Sequence, residues 1–223
     1  VTGSGVGNCA DRDPVSCLLE PRSIAVVGAS TRPGSFGSRM AGEVLRGDGG
    51  ATVYFVNPGY DEIAGRPCLA SLEDVPGAVD LVLLGINDAS LDAELTLAAG
   101  RGDRAAVVFG NAYERPADGV PALRDRLAAT ARGTSMALCG GGCMGFVNVV
   151  KGIRAIGYVE PDPIPAGPVA LVTHSGSVFS AVLRSGRAGG FTVAVSSGQE
   201  LVTTTSAYLD YALSLEQTGV IAL

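Results

Sequence analysis

Ser23-Ile-Ala-Val-Val-Gly-Ala-Ser-Thr-Arg-Pro-Gly-Ser-Phe-Gly37 is the stretch that decides how this chain folds. Ile24 to Val27 is an uncharged run rich in β-branched residues, which is how a strand covered on both faces reads. Gly28 ends the run. Pro33-Gly34 then delays a helix to about Ser35, from where it continues to about Arg46. Strand, glycine turn and helix together aim free backbone N–H groups and the positive end of a helix dipole at one place, an arrangement suited to a bound anion.

Moving downstream, Ala51 to Asn57 reads as a second strand, closed by Asn57-Pro58-Gly59. Leu69 to Val75 reads as a short helix with Ser71 as its N-cap. Val79 to Ile86 is a third strand, and Ala89 to Ala99 a helix with Asn87 or Asp88 available as cap. Ala105 to Phe109 is a fourth strand, Val120 to Arg132 a helix, and Ser135 to Leu138 a fifth strand. Strands alternating with helices in this way predict a Rossmann-like, doubly wound parallel α/β sheet over residues 18–150. Its ligand should lie beyond the carboxyl ends of the strands. The loops there, Gly28–Gly37, Asn57–Tyr60, Gly85–Asp88, Gly110–Tyr113 and Gly140–Gly145, are rich in Gly and Asn.

Residues 151–167 carry Pro161, Pro163 and Pro165 and read as an extended linker. A new unit follows over 168–223. Pro168 to Thr173 is a strand, His174-Ser175-Gly176-Ser177 a tight turn, and Val178 to Arg187 a helix. Phe191 to Val195 is a strand, Thr205 to Leu215 a helix, and Gly219 to Leu223 begins one more strand. A parallel sheet stopped in mid-strand predicts a piece of a longer protein. Upstream, the Gly- and Ser-rich residues 1–17 read as a flexible lead-in, with no secretory signal pattern.

The 223 residues are 47% hydrophobic and 17% charged, which predicts a globular chain with a sizeable core. The net charge is −6 and the basic residues are scattered, so no stripe for nucleic acid is present. No apolar run is long enough to span a bilayer. The cysteines are Cys9, Cys17, Cys68, Cys139 and Cys143; an odd count without a framework points to reduced thiols and a cytoplasmic protein. Cys139 and Cys143 lack the second pair that a metal site would need, so a structural role is the better reading and no metal is expected.

The first loop departs from the dinucleotide fingerprint. Ser30 stands where a second Gly is wanted, and the second strand ends in Asn57 rather than a carboxylate, which counts against NAD. No Gly-Lys-Ser/Thr follows, so it is not a Walker loop either. Arg32 has two open roles, a bidentate phosphate contact or a solvated loop residue. Ser175, Gly176 and Ser177 open a second helix and form a second anion-site candidate, with simple helix capping as the alternative. His174 beside Ser175 suggests a hydrolase, but the G-x-S-x-G elbow is missing and adjacent strand-end residues point apart.

Taken in order, Pro21 to Ser30, Val56-Asn57-Pro58, Gly141-Gly142-Cys143-Met144-Gly145 and Gly167 to Ser177 resemble nucleoside-diphosphate-forming acyl-CoA synthetases. That superfamily includes succinyl-CoA synthetase α subunits and ADP-forming acetyl-CoA synthetases. In the third stretch the family's Pro and Asn are missing here. In the fourth, Gln or Arg usually precedes Ser-Gly, where this chain has His174.

The resemblance implies a CoA-binding domain followed by a flavodoxin-like domain, incomplete at its C-terminus. It implies CoA contacts at Gly28, Ser30, Arg32, Ser35, Phe36, Val56, Asn57, Pro58, Ile86, Asn87 and Asn111. Adenine would lie near the second and third strands, and the thiol arm would run towards Cys143 and the Ser175 loop. It implies chemistry in which a histidine is phosphorylated, passes phosphate to a carboxylic acid, and CoA attacks the acyl phosphate. By order along the chain His174 matches the Ser-Gly loop, so the phosphohistidine is expected beyond Leu223 and no catalytic residue is expected within the chain. ATP or ADP and Mg²⁺ would enter through an ATP-grasp domain or β subunit, and the whole would be an oligomer. A second reading, from another class, is a CoA- or acyl-CoA-sensing regulatory module, for instance of an acetyltransferase.

Overall fold

Ile24 and Val26 face one buried cluster while Ala25 and Val27 face another. That two-sided burial is why strand β1 (Ser23–Val27) shows no polar alternation in sequence. A computed structural model describes residues 12–115 and 117–223. Helix α1 (Pro14–Leu19), capped by the Asp13 side chain, precedes β1. The expected lead-in over 1–17 thus lies outside the described residues for 1–11, whereas from Pro14 onward the chain is helical and Cys17 is buried. Helix α2 (Phe36–Arg46) and strands β2 (Thr52–Val56), β3 (Glu62–Ile63) and β4 (Arg66–Leu69) follow. Next come β5 (Leu81–Leu84), α3 (Asp88–Arg101), β6 (Ala105–Val108), α4 (Leu123–Gly133) and β7 (Ala137–Gly140).

These strands form a seven-stranded sheet in the order β3-β4-β2-β1-β5-β6-β7. All neighbours are parallel except β3, which pairs antiparallel with β4. The short helix expected at Leu69 to Val75 shrinks to a 3₁₀ turn, Leu72–Asp74, capped by Ser71 as expected, because Leu69 belongs to β4. Strand order reverses between β1 and β5, which opens a crevice at their carboxyl ends.

A second sheet has the order β12-β10-β11-β8-β9. Its strands are β8 (Gly145–Asn148), β9 (Ile153–Ile156), β10 (Ala166–Thr173), β11 (Phe191–Ser196) and β12 (Val220–Ala222). Helix α5 (Gly176–Arg184) follows β10, and α6 (Thr205–Ser214) follows β11. The stretch 151–167, read as a linker, instead holds β9, paired antiparallel to β8. The signal was hidden by Arg154 within β9: a charged residue argues against a covered strand, yet here its guanidinium is buried against Glu43 of α2, Nε donating to Oε2 at 2.9 Å. One apolar cluster runs from the α2 face of the first sheet into the second, joining Met40 and Val44 to Phe146, Ile153, Val193 and Tyr208. Asn148, fully buried, donates to the Leu19 carbonyl at 2.9 Å and to the Tyr211 hydroxyl at 2.8 Å.

No helix among the described residues is long and apolar enough to cross a membrane, and no group of three or more His, Cys, Asp or Glu among them could hold a metal ion.

Candidate functional site

The crevice between β1 and β5 is built on glycine. Gly28 has φ +86°, donates its N–H to the Val56 carbonyl at 2.9 Å, and lies so close to β5 that an added Cβ would sit 2.5 Å from the Gly85 carbonyl oxygen. An added Cβ at Gly37, in the first turn of α2, would come within 2.1 Å of the Gly28 carbonyl oxygen. Strand end, helix start and neighbouring strand therefore meet backbone to backbone, with room for none of the side chains that other residues would bring.

Between these glycines the loop is held by hydroxyls. The Ser30 and Tyr60 hydroxyls lie 2.9 Å apart, and Ser30 Oγ accepts the Arg32 N–H at 3.0 Å. The Ser30 bond comes first among the influences that lower the Tyr60 phenol below its usual range. Ser35 caps α2 by accepting the Ser38 N–H, and its hydroxyl donates to the Arg32 carbonyl at 2.7 Å. The Arg32 side chain is exposed and has no carboxylate partner among the described residues. Asn57 uses both ends of its amide: Nδ2 donates to the Ala29 carbonyl at 2.7 Å, and Oδ1 accepts the Gly59 N–H at 2.9 Å. Pro58 is exposed beside it, whereas the Val56 side chain is buried in the core on the α3 side of the sheet.

Phe36 and Ile86 line a cleft of about 340 Å³ with Gly85, Phe109, Gly110 and Tyr158. Phe36 meets Phe109 and Tyr158 edge to face, with ring centroids 5.2 and 5.7 Å away. Arg39, one turn along α2, lies over the Tyr158 ring at 5.8 Å, and its buried Nε has no hydrogen-bond partner among the described residues. Asn87 caps α3 by accepting the Ser90 N–H at 3.1 Å. The structure thus brings the first loop, Phe36 and Ile86 to one crevice. Phe109, Tyr158, Arg39 and Tyr60 were missed from sequence. Tyr60 closed a flagged loop and Phe109 stood beside one, but neither was singled out; Tyr158 lay in the supposed linker and gave no signal.

The turn from Gly140 to Met144 joins this crevice to the second sheet. Gly142 donates its N–H to the Gly110 carbonyl at 2.6 Å, and the Gly141 carbonyl accepts the Gln199 N–H at 2.9 Å. Gln199 Nε2 donates to the Asn111 carbonyl at 2.8 Å. Cys143 is buried, and its hydrogen bond with Cys139, together with burial, pushes its thiol well above the ordinary range, which leaves it a poor nucleophile.

Ser175 caps α5 by accepting the Val178 N–H at 3.3 Å, and Gly176 packs on Met144, so the Ser175–Ser177 loop adjoins the same turn. His174 does not face the Ser175 hydroxyl. Its Nε2 lies 2.9 Å from Glu200 Oε1, in the loop after β11. Glu200 was not picked out from sequence, although it is the one acid between β11 and α6. Burial pushes its carboxyl up, but bonds from the Thr205 hydroxyl and N–H, from Ser197 and from His174 outweigh that and hold it below the usual range.

A doubly wound parallel sheet with a glycine-clamped loop on one side of the strand-order switch and an apolar cleft on the other defines a Rossmann-like binding protein. The chain belongs to the CoA-binding domain family, whose model matches residues 22–149. Residues 166–223 match the succinyl-CoA ligase-like flavodoxin domain. The chain is 32% identical over 210 residues to acetate–CoA ligase (ADP-forming) I of Archaeoglobus fulgidus, which covers 92% of this chain and 30% of that relative. It is 26% identical to the 4-hydroxybutyrate–CoA ligase (ADP-forming) of Nitrosopumilus maritimus, over 93% of this chain and 30% of that one. Among solved structures, the dinucleotide-forming acetyl-coenzyme A synthetase 1 of Ca. Korarchaeum cryptofilum, with phosphate and ADP, superposes with a TM-score of 0.82 at 26% identity, over 94% of this chain and 45% of that one. The chain spans about 30% of the length of the curated relatives it matches.

Proposed function

We propose that this chain is the CoA-holding portion of an ADP-forming acyl-CoA synthetase. The whole protein would convert a carboxylic acid, CoA and ATP to acyl-CoA, ADP and phosphate through an acyl phosphate. The observation that carries the CoA site is the two-part character of the β1–β5 crevice. CoA has a diphosphate and a long, weakly polar thiol arm. The first loop offers backbone N–H groups, hydroxyls and the exposed Arg32 to the diphosphate; the cleft of Phe36, Ile86, Phe109 and Tyr158 offers apolar walls to the arm. Arg39, with a buried unpaired N–H beside the cleft, would give a carbonyl of that arm a donor.

Asn57, Ser35 and Asn87 act first as braces, since their side chains hold the loops whose N–H groups face the crevice. Val56 contributes through the strand rather than its side chain. Pro58 and Asn111 flank the crevice on either side. The turn at Gly140–Met144 carries the thiol end towards the Ser175 loop, where the helix start of α5 would face a phosphate. The phosphorylated histidine, the ATP site with its Mg²⁺ and any partner subunit lie in other parts of the protein. Two α subunits of Pyrococcus furiosus acetate–CoA ligases among the relatives support a divided, multi-chain arrangement.

Calorimetry tests the site. CoA should bind, NAD should not, and Arg32→Ala should weaken CoA by about 1.5–3 kcal/mol, the loss of one charged hydrogen-bonding contact. Unchanged affinity in that variant would remove the first loop from the site. A regulatory module that senses CoA would share all of this binding; turnover of acid, CoA and ATP by the full protein separates the two readings.

A further inference from the structure

The apolar cleft of the first sheet borrows one wall from the chain beyond β9. Tyr158 meets Phe36 edge to face and lies under Arg39, but it is 39% exposed, so no core holds the ring there. It belongs to a strap, residues 157–163, that leaves β9 after Ile156 and touches both α2 and α5. Gly157 starts the strap against the Phe36 ring, where an added Cβ would sit 2.0 Å from Phe36 Cζ. None of residues 158–163 makes a backbone–backbone hydrogen bond among the described residues, so side chains hold the strap. Its far end is fixed by Arg154, which Glu43 of α2 orients: Arg154 donates to the Pro161 carbonyl at 3.2 Å and to the Glu160 carbonyl at 3.5 Å. The end nearer Tyr158 is fixed from α5. Arg184 donates from Nη2 to the Val159 carbonyl at 2.6 Å and from Nε to Glu160 Oε2 at 2.9 Å, and the Ser180 hydroxyl donates to Glu160 Oε1. Glu160 is 3% exposed, a costly place for a carboxylate, and both its oxygens turn to α5. The other strap side chains grip far less: Val159 is exposed, and Asp162 reaches Arg46 and Arg154 only at 3.9 Å.

We propose that Glu160 is a positioning residue for the thiol arm of CoA: by fixing the strap to α5 it holds Tyr158 against the cleft, so a helix of the second domain shapes a cleft of the first. The residues lining the cleft do not include Glu160, which acts only through the ring two positions before it. The inference rests on the CoA reading of the β1–β5 crevice and assigns what shapes its apolar half. Removing the carboxylate leaves the strap without its α5 anchor, and the Tyr158 ring is then free to leave the cleft. The arm must reorder that wall each time it binds, which costs affinity although no contacting residue has changed. Arg184 does not become a buried charge in such a variant, since its side chain is 58% exposed and turns to water.

The test is calorimetry on the full protein with CoA and with 3′-phosphoadenosine 5′-diphosphate, the part of CoA that lacks the arm. The second ligand is read as a competitor of CoA, so that only this site reports. Glu160→Ala should weaken CoA about tenfold, the loss of one ordered aromatic wall, and leave the competitor unchanged. Glu160→Gln keeps an acceptor for Arg184 and gains a donor for the Ser180 oxygen, and should bind CoA within about twofold of the parent. In a Tyr158→Ala background Glu160→Ala should add nothing, because the ring it positions is gone. Should Glu160→Ala fail to melt cooperatively, Arg184→Gln, a change at an exposed side chain, replaces it with an expected loss of about threefold for CoA alone. Equal weakening of CoA and the competitor, or additive losses in the double variant, overturns the proposal, because Glu160 would then brace the fold at large. A parent protein that does not bind CoA defeats the site reading and this inference together. A parent and a Glu160→Ala variant that bind CoA equally well defeat this inference alone.

Discussion

Two loops sit at strand ends in this molecule and are held in opposite ways. The loop from Gly28 to Gly37 is fixed by backbone: glycines pressed together, hydroxyls bridging, and no ion pair among the described residues. The loop from His174 to Ser177 is fixed by a side-chain contact, His174 Nε2 to the Glu200 carboxylate, and is largely open to solvent. A site of the first kind presents one shape at any pH and has no room for a side chain at Gly28 or Gly37. A site of the second kind tolerates substitution and answers to the proton. A ligand that must be gripped the same way in every cycle suits the first; a group that arrives and leaves suits the second.

The sharpest way to break this contrast is to add one carbon to the first loop. Gly37→Ala places a Cβ 2.1 Å from a backbone oxygen that cannot swing aside. We expect a loss of about 3 kcal/mol in urea unfolding, at the upper end of overpacking costs, and loss of CoA binding with it. A change below about 0.5 kcal/mol would show that the loop yields. The second loop should take its own simplest change more lightly. Ser175→Ala removes the α5 cap and should cost about 1 kcal/mol, read from the same unfolding curves.

The smallest effect separates the loops by pH. The Glu200 carboxyl titrates below its ordinary range in the folded chain, so the stability it contributes is present above the unfolded value and is lost as pH falls through the folded one. Melting temperatures of the parent and Glu200→Gln should therefore differ most near neutrality and converge below about pH 4. A gap that stays constant into acid would mean that the carboxylate is not what holds the second loop. The same acid range should leave the Gly37→Ala gap unchanged.

How far the sequence could be read depended on where each signal resided. β1, β5 and β6 were plain because each is an apolar run covered on both faces. Capping residues Ser71, Asn87 and Ser175 were plain because capping is local. The β3–β4 hairpin was not, since two-residue β3 and Pro67 within β4 leave no periodicity. β9 was hidden because Arg154 is neutralised by Glu43, 111 residues away. The crevice was half visible: Phe36 and Ile86 stand next to glycine loops, whereas Tyr158 reaches them only because the second sheet packs on α2.

Asn148 carries a last consequence, one of folding order. Its amide bonds Leu19 at the end of α1, 129 residues before it, and Tyr211 of α6, 63 residues after it, and it sits in β8, whose hairpin partner β9 begins five residues later. These bonds can close only when α1, β8 and α6 have come together. A contact of such separation is slow to reach and is rewarded late. The two motif-bearing halves should therefore unfold in one transition and refold together. A gene divided at residue 150, where the motifs suggest a boundary, would cut a hairpin in two and yield neither half.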